Sequence, residues 1–357
     1  MGADSPAVAA GGTTLGGGKS PNAIRQGLCS GSSDGGYLSK EHTVHQPCAG
    51  QVPPQKPAKE GLEMIAKLLR AAHLRMLYRF APLARHRYAR LCATMLDQPV
   101  LLLSFDCDNF EDIDALDRIA EFLGEMNIVA TFAVPGEIIQ SAWRQFARLS
   151  ELGHEFMSHG YRRHSEIQSG QYTSTLFYHK LSDAEIAEDI HGGNEVISEL
   201  TGRKPAGFRI PHFGHSSAPA ELARVYDVLI SADLKYSSST LPRCGILNGP
   251  IYLTEEGLWE LPVSGMYSNP FSVLDTYSFG FSHKTARTAA EFLGNVTGLL
   301  DAFSGRPVCL NLYCDPSQAV RMDEWFQAMR RIVQSGYRAM RFDEFVSQYA
   351  DKQRVRP

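Results

Sequence analysis

The chain lacks three features that would assign it to common protein classes. It has no basic excess, because 35 Lys and Arg stand against 39 Asp and Glu for a formal net charge of −4, which argues against a nucleic-acid binder. Its seven cysteines are an odd number without a CxxC pair, which argues against a disulfide framework or a zinc ribbon. No apolar run reaches the ~20 residues of a membrane span, and residues 1–19 lack the apolar core of an export signal. We therefore expect a cytoplasmic protein and keep open a peripheral position on the inner membrane.

The first part of the chain differs in composition from the rest. Overall, 43% of residues are apolar and 21% are charged, an ordinary globular balance. Residues 1–58, however, are rich in Gly, Ser, Pro and Ala and contain few large apolar side chains. Such a stretch cannot bury enough surface to offset the entropy lost on ordering. We predict a disordered extension over 1–58.

Residues 61–98 have a helical and basic character. Apolar residues recur at steps of three and four, the pattern of an amphipathic helix, and Pro82 marks its end or a kink. The apolar positions are Leu62, Ile65, Leu69, Ala72 and Met76, and the basic ones are Lys67, Arg70, Arg75 and Arg79. Two interpretations remain open. The helix packs on the following domain, or residues 62–81 rest on an anionic membrane surface.

From residue 99 to about 350 the pattern alternates between strands and helices. The apolar run 100–105 is typical of a buried parallel strand, and apolar residues at helical spacing follow it over 113–123. Further strands are predicted over 128–132, 154–158 and 308–312, and a helix begins at Ser182 with Glu185 in capping-box register. This alternation predicts an α/β domain with a parallel sheet, either open or closed into a barrel.

Polar residues follow the predicted strands where each strand ends. Because the carboxyl ends of parallel strands meet at one face of a barrel, we expect these side chains to converge. Acids and histidines together are the ligands of a catalytic zinc-type site, which keeps one position open for water. The candidates are Asp106, Asp108, His159, His164, Arg209, His212 and Asp315.

Five short motifs carry a resemblance to a known family. They are Ser104-Phe105-Asp106-Cys107-Asp108, the stretch from His159 to His164, Arg209-Ile210-Pro211-His212-Phe213, Asp233 to Ser239, and Leu312-Tyr313-Cys314-Asp315-Pro316. In order and spacing they resemble the polysaccharide deacetylase (NodB-homology) family over roughly 250 residues. The resemblance implies a distorted (β/α) barrel of about seven strands and a catalytic domain over 99–350.

The resemblance also implies roles for individual residues. Asp106 would be the general base, oriented by Arg209, and the backbone N–H of His212 would bind the oxyanion. Asp315 stands at the position of the family's general acid. The metal ligands would be Asp108, His159 and His164, with zinc as the first expectation and other divalent ions open. The implied substrate is an N-acylated amino sugar, and a cytoplasmic location favours a sugar nucleotide or a lipid-linked saccharide over mature wall polymer.

Three positions depart from the family pattern. Cys107 separates two acids that are usually adjacent, so either Asp108 or Cys107 takes the ligand position. The histidines lie five residues apart instead of four, which on a regular helix places them on different faces, so they converge only from an irregular turn that Gly160 would permit. His154, His179 and His212 are the alternative ligands. The third departure is Asp315, which replaces a histidine and donates a proton at neutral pH only if burial raises its pKa.

These departures leave two other functions open. One is an inactive barrel that acts as a sugar-binding or regulatory protein. The other is a deacylase of a non-sugar amide. The sequence makes no prediction about oligomeric state.

Overall fold

The structure is a computed structural model that describes residues 72, 74–168, 171–212, 214–215, 218–280 and 287–354. The extension predicted over 1–58, and residues 61–71 and 73 of the helical segment predicted over 61–98, lie outside the described residues.

The described part of that helical segment packs on the rest of the chain. Residues 74–79 are helical, the helix is interrupted at Phe80, and a second helix, α1, spans Ala81–Ala93. Pro82 lies in the first turn of α1, where its fixed φ and missing N–H are tolerated. The preceding helix ends at Arg79, so the interruption predicted at Pro82 is confirmed. Arg87 of α1 donates hydrogen bonds to the carbonyl oxygens of Ile246 at 2.9 Å and Leu247 at 2.9 Å, and these bonds hold α1 against a later part of the chain.

A nine-stranded sheet forms the centre of the fold. Its strand order is β10-β1-β2-β3-β6-β7-β9-β8, and β11 pairs with the first half of β1. All its pairings are parallel except that of β8 with β9. Numbered in chain order, the strands of this sheet are β1 Val100–Asp106, β2 Thr131–Val134, β3 Glu155–Ser158, β6 Gly207–Phe208, β7 Tyr236–Ser237, β8 Tyr252–Leu253, β9 Trp259–Glu260, β10 Cys309–Cys314 and β11 Arg338–Met340. A separate antiparallel hairpin consists of β4 Ser165–Gln168 and β5 Gln171–Ser174.

The sheet curls so that its two ends approach each other. Asn311 on β10 donates from its side chain to the carbonyl oxygens of Leu261 at 3.1 Å and Pro262 at 3.0 Å, just after β9. The seven parallel strands from β10 to β9 thus form a curled, half-closed barrel. This confirms the predicted distorted barrel of about seven strands, and every residue of β1 is buried, as expected for a central parallel strand.

Helices cover the outside of the sheet. The predicted capping box is confirmed, since Ser182 and Glu185 bond reciprocally at the start of the helix Asp183–Thr201. The helix predicted around 138–151 is two helices, separated at Ala142. The helices after α1 are α2 Phe110–Glu125, α3 Gly136–Ser141, α4 Trp143–Glu151, α5 Asp183–Thr201, α6 Pro219–Ser231, α7 Pro242–Asn248, α8 Tyr277–Gly280, α9 Ala289–Ala302, α10 Pro316–Ala319, α11 Asp323–Gln334 and α12 Phe342–Arg354. Within the described residues, no helix combines the length and apolar character needed to cross a membrane.

Candidate metal centre

The turn after β1 places Asp108, not Cys107, beside the histidines. β1 ends at Asp106, and the Cys107 N–H donates to the carbonyl of Ala133 on β2 at 3.0 Å. The Cys107 side chain is fully buried among apolar residues, and this burial raises the pKa of its thiol well above the usual value. A thiol held neutral in an apolar core is a poor metal ligand. The alternative in which Cys107 takes the ligand position is therefore wrong.

An irregular loop brings the two histidines together. His159 and His164 flank a loop in which Gly160 has φ +81, a left-handed conformation that glycine adopts without strain. Their ring centroids lie 4.5 Å apart at an interplanar angle of 86°. The buried carboxylate of Asp189 holds the loop, since it accepts from the Arg162 N–H at 2.9 Å and from the Tyr178 hydroxyl at 2.6 Å. The predicted convergence from a turn instead of a helix is confirmed.

Asp108, His159 and His164 form a group with the geometry of a metal site. Within the described residues, their ligand atoms all lie within 4.8 Å of one another, and all three residues are buried. Asp108 Oδ1 lies 2.9 Å from His164 Nε2 and 3.4 Å from His159 Nε2. Asp108 Oδ1 and His164 Nε2 are nevertheless buried without a well-aligned hydrogen bond from any described residue. Buried polar atoms are rarely left unsatisfied, so this donor set fits a divalent cation.

A contact on the far side of the His159 ring determines which nitrogen can bind a metal. Nδ1 lies 2.6 Å from the carbonyl oxygen of Arg209, so Nδ1–H donates and Nε2 keeps its lone pair toward Asp108. Burial acts to raise the pKa of Asp108, but the two histidines outweigh it and hold that pKa well below the usual range. Asp108 therefore offers an anionic oxygen to a cation. The two histidines add nitrogen donors to its oxygen, a combination that zinc and related metals accept.

The alternative ligand histidines lie outside this group. His154 is at the opposite end of β3, where its Nδ1 accepts the Ala130 N–H at 3.2 Å. His179 lies in a short 3₁₀ helix and packs against Phe177 with ring centroids 5.5 Å apart. The His212 ring lies next to the site but points Nε2 at the His164 carbonyl oxygen, 2.9 Å away. None of the three is among the grouped ligand atoms.

Asp106 and Arg209 form a buried ion pair next to the metal ligands. Arg209 is fully buried, and its Nη1 lies 2.5 Å from Asp106 Oδ1. The same guanidinium donates to Ser104 Oγ at 2.8 Å and to the Ser238 carbonyl at 3.0 Å. A buried charge needs this degree of pairing to offset its lost hydration. The predicted pairing is thus present. The N-cap of α2 is Asn109, so Asp106 is not occupied as a helix cap.

His212 has the backbone conformation of a functional or strained residue. Its φ is +50, which non-glycine residues adopt rarely, and the residue lines the cleft above the metal ligands. Burial first, and then His164, lower the pKa of the His212 ring to about 4, so the neutral ring donates its Nε2–H to the His164 carbonyl. The His212 ring therefore supports the backbone of His164, one of the three residues of the candidate metal site. The role of the His212 backbone N–H toward an oxyanion stays a prediction.

Asp315 lies in the same cleft wall as Asp106 and Asp108. It forms a reciprocal pair with Thr276, whose hydroxyl donates to Asp315 Oδ2 at 3.2 Å and accepts the Asp315 N–H at 2.7 Å. Burial, followed by the nearby carboxylates of Asp112 and Asp108, raises the pKa of Asp315 well above its usual value. The sequence required that burial raise the pKa of Asp315 before it could donate a proton, and its surroundings meet this condition.

Two residues near the centre were missed by sequence reasoning. Tyr172, on the β4–β5 hairpin, donates its hydroxyl to Asp108 Oδ2 at 3.0 Å. Asp112 accepts the backbone N–H groups of Asp108 and Asn109 from the first turn of α2. The Asn-x-x-Asp spacing of 109 and 112 is a capping-box signal and could have located Asp112. No local pattern marks Tyr172, because a hairpin over the site brings it there from 64 residues away.

Comparison with known proteins agrees with this geometry. Residues 94–229 match the family model described as Polysaccharide deacetylase. Over this segment the chain resembles the polysaccharide deacetylase family. Among solved structures, it is similar to a candidate polysaccharide deacetylase from Mycobacterium smegmatis, with a TM-score of 0.54, 17% identity, and coverage of 73% of this chain and 92% of that one. At this identity the likeness concerns the fold.

Two further solved structures are similar to the chain at lower TM-scores. A peptidoglycan deacetylase from Bacillus subtilis has a TM-score of 0.44 at 15% identity, covering 72% of this chain and 94% of that one. A CE4 family pseudoenzyme from Bacillus anthracis has a TM-score of 0.44 at 15% identity, covering 70% and 66%. No curated protein sequence matches the chain.

Proposed function

We propose that this protein is a metal-dependent hydrolase that removes an N-acyl group, acetyl in the first instance, from an amino sugar of a glycan or glycan precursor. The observation that carries the proposal is the buried Asp108–His159–His164 group next to the paired Asp106. The match of residues 94–229 to the family model described as Polysaccharide deacetylase favours an acylated saccharide over other amides. Zinc is the proposed metal because the donors are two imidazole nitrogens and one carboxylate oxygen.

A divalent cation held by these three residues would acidify a water molecule and polarise the scissile carbonyl. The chain's own residues supply the remaining functions. Asp106, oriented by Arg209, accepts a proton from the attacking water, and the His212 N–H stabilises the developing oxyanion. Asp315 protonates the departing amine, since its raised pKa keeps a proton available. Tyr172 holds Asp108 in position from the hairpin side.

The cleft above these groups has the lining expected for a sugar site. Tyr172, Tyr277 and Tyr313 line it together with Leu241 and Val273. An apolar and aromatic wall with a few converging polar groups is typical of a small-molecule site. Lipid-linked sugars and sugar nucleotides are the proposed forms of the substrate, and the cytoplasmic location also stays a prediction.

The test combines metal content with turnover. Purified wild type, Asp108→Ala and the exposed control His191→Ala are analysed for bound metal and then assayed for acetate and free amine. The panel holds N-acetylglucosamine oligomers, an N-acetylated sugar nucleotide and small cyclic amides. We expect about one divalent ion per chain and turnover of an N-acetylated sugar by wild type and His191→Ala, with both lost in Asp108→Ala.

Other outcomes would contradict the proposal in different ways. If wild type holds no metal after reconstitution with zinc, the proposed hydrolase function is refuted. Stoichiometric metal without turnover of any acylated sugar would assign the chain to the inactive, sugar-binding class. Turnover of the cyclic amides alone would replace the sugar substrate with a non-sugar amide.

A further inference from the structure

Three large apolar side chains are exposed within five residues near the start of the described chain. Met76, Tyr78 and Phe80 have exposed fractions of 44%, 54% and 55%. Exposed apolar residues are ordinary when they are scattered singly, whereas a cluster indicates an interaction surface. We name Arg75, Met76, Tyr78, Arg79 and Phe80 the docking face.

The docking face remains exposed to solvent because a different face of its helix packs against the rest of the domain. Leu77 is fully buried and packs in a small apolar cluster with Ala84 and Ile246. The Tyr78 ring stacks on Phe271 with ring centroids 3.8 Å apart. The helix over 74–79 is thus held on the barrel while its remaining side chains project outward. A rigid, pre-formed presentation lowers the entropy lost on binding.

The charge of this region is opposite to that of the chain as a whole. Between Leu74 and Leu96 the sequence contains five arginines and no acidic residue, whereas the chain carries a net charge of −4. Arg85 and Arg87 are bonded to backbone carbonyls of the barrel. Arg75 and Arg79 are exposed within the docking face itself. Arginine beside tyrosine and phenylalanine is the composition that anchors proteins at the headgroup level of an anionic bilayer.

One turn connects this region to the catalytic cleft. Gly265 and Val273 pair as a β-bridge, and the turn between them carries Tyr267 and Phe271. The Arg85 guanidinium lies over the Tyr267 ring, 4.3 Å from its centroid, and Phe271 carries the stacked Tyr78. The same turn ends at Val273, which lines the cleft. The surface and the cleft wall therefore share one structural element.

We propose that the docking face binds an anionic lipid bilayer, with Phe80 and Met76 inserted at the headgroup level and Arg75 and Arg79 contacting lipid phosphates. The binding is peripheral and does not depend on the proposed deacylation. Its consequence for that function is that a saccharide carried on a membrane lipid would be presented near the cleft through the turn over 265–273.

Vesicle binding of the full chain tests this proposal. Sedimentation is measured with phosphatidylcholine vesicles containing about 30% phosphatidylglycerol and with pure phosphatidylcholine. We expect wild type to partition onto the anionic vesicles, and Arg75→Glu/Arg79→Glu to reduce the partition coefficient roughly tenfold or more, since each basic residue near such a surface contributes severalfold. The matched control Arg144→Glu/Arg306→Glu makes the same charge change at exposed sites elsewhere and should bind as wild type does.

The apolar part of the face has its own readout. The chain already contains three tryptophans, so the emission of Phe80→Trp is compared with that of wild type, and the difference spectrum should shift to the blue with anionic vesicles. Phe80→Ser should weaken binding, while Leu152→Ser, at an exposed residue of similar accessibility, should not. Failure of wild type to bind anionic vesicles at low salt would refute the proposal. Equal losses of vesicle binding in the two charge-reversed variants would also refute it. Vesicle binding of Phe80→Trp without any shift of its emission would refute it as well, because both results would indicate non-specific adsorption of a cation.

Discussion

The carboxylate of Asp112 accepts the backbone N–H of Asp108 at 3.0 Å. The same oxygen accepts the Asn109 N–H at 3.2 Å, and the other oxygen accepts the Ser317 N–H at 3.0 Å. Asp112 is fully buried and therefore joins the turn that carries the metal ligand to the turn that follows Asp315. One side chain thus sets the relative position of two groups on which the proposed reaction depends.

Replacing Asp112 by alanine would leave these three N–H groups without their acceptor. We expect Asp112→Ala to lower the free energy of unfolding by about 2–5 kcal/mol and metal affinity by about tenfold, because unsatisfied buried donors are costly and supporting residues position metal ligands. Urea denaturation and metal titration measure the two effects. Asp114→Ala, an exposed position on the same helix, is the control. Unchanged metal affinity in Asp112→Ala would show that the ligand turn does not need this support.

A comparison of alanine substitutions at Gly160 and Gly153 separates two costs of adding a side chain: strain in a left-handed backbone and steric overlap with neighbouring atoms. Both have a left-handed backbone, with φ of +81 and +86. A Cβ at Gly160 would overlap the Asp189 carboxylate, whereas a Cβ at Gly153 would meet nothing within 4 Å. Gly153→Ala should cost about 1 kcal/mol, and Gly160→Ala should cost several times more and weaken metal binding because the loop from His159 to His164 must move. Thermal denaturation and metal titration of both variants measure this, and equal effects would contradict it.

Asp315 should be the proton donor to the departing amine. Asp315→Asn keeps an oxygen for the Thr276 hydroxyl but cannot transfer a proton, so kcat should fall by about 10²–10⁴-fold with unchanged metal content. Because the pKa of Asp315 is raised, wild-type kcat should fall as pH rises through that pKa. The variant should lack this decline. A pH profile of kcat, with Asp301→Asn as the exposed control, measures the effect, and a full-rate Asp315→Asn would exclude the role.

The buried Glu155 should make stability depend on pH far from the active site. It accepts hydroxyl hydrogen bonds from Tyr236 at 2.7 Å and Thr131 at 2.7 Å, and burial, followed by the charge of Asp343, raises its pKa from 4.5 to about 7. Between these two values the folded state keeps a proton that the unfolded state has released. Stability is therefore lost as pH rises from about 4.5 to about 7, by up to about 3 kcal/mol.

Glu155→Gln removes this titration. The unfolding free energy of wild type relative to Glu155→Gln should decline between about pH 5 and pH 7 and then level off, while the exposed control Glu255→Gln should follow wild type throughout. Urea denaturation at a series of pH values across this range measures the difference. A constant difference between wild type and Glu155→Gln would mean that Glu155 is ionised in the folded protein over the whole range.

Several features of the fold were predictable because they depend on local patterns. The apolar run of β1 and the capping box at Ser182 and Glu185 depend on residues close together in the chain. The interruption near Pro82 was predictable in the same way, since proline disfavours the interior of a helix and is tolerated in the first turn of the next one.

The sequence by itself determined which polar residues follow the strands, and parallel pairing makes those residues converge, so the set from Asp106 to Asp315 was identifiable in advance. Only the tertiary structure decided which of them face each other. Cys107 turns into the core because β2 accepts its N–H, and the Asp189 carboxylate holds the loop that brings His159 and His164 together. Tyr172 reaches Asp108 only because a hairpin crosses the site. These contacts join residues distant in sequence, and their energies come from burial and hydrogen bonding that no local pattern contains.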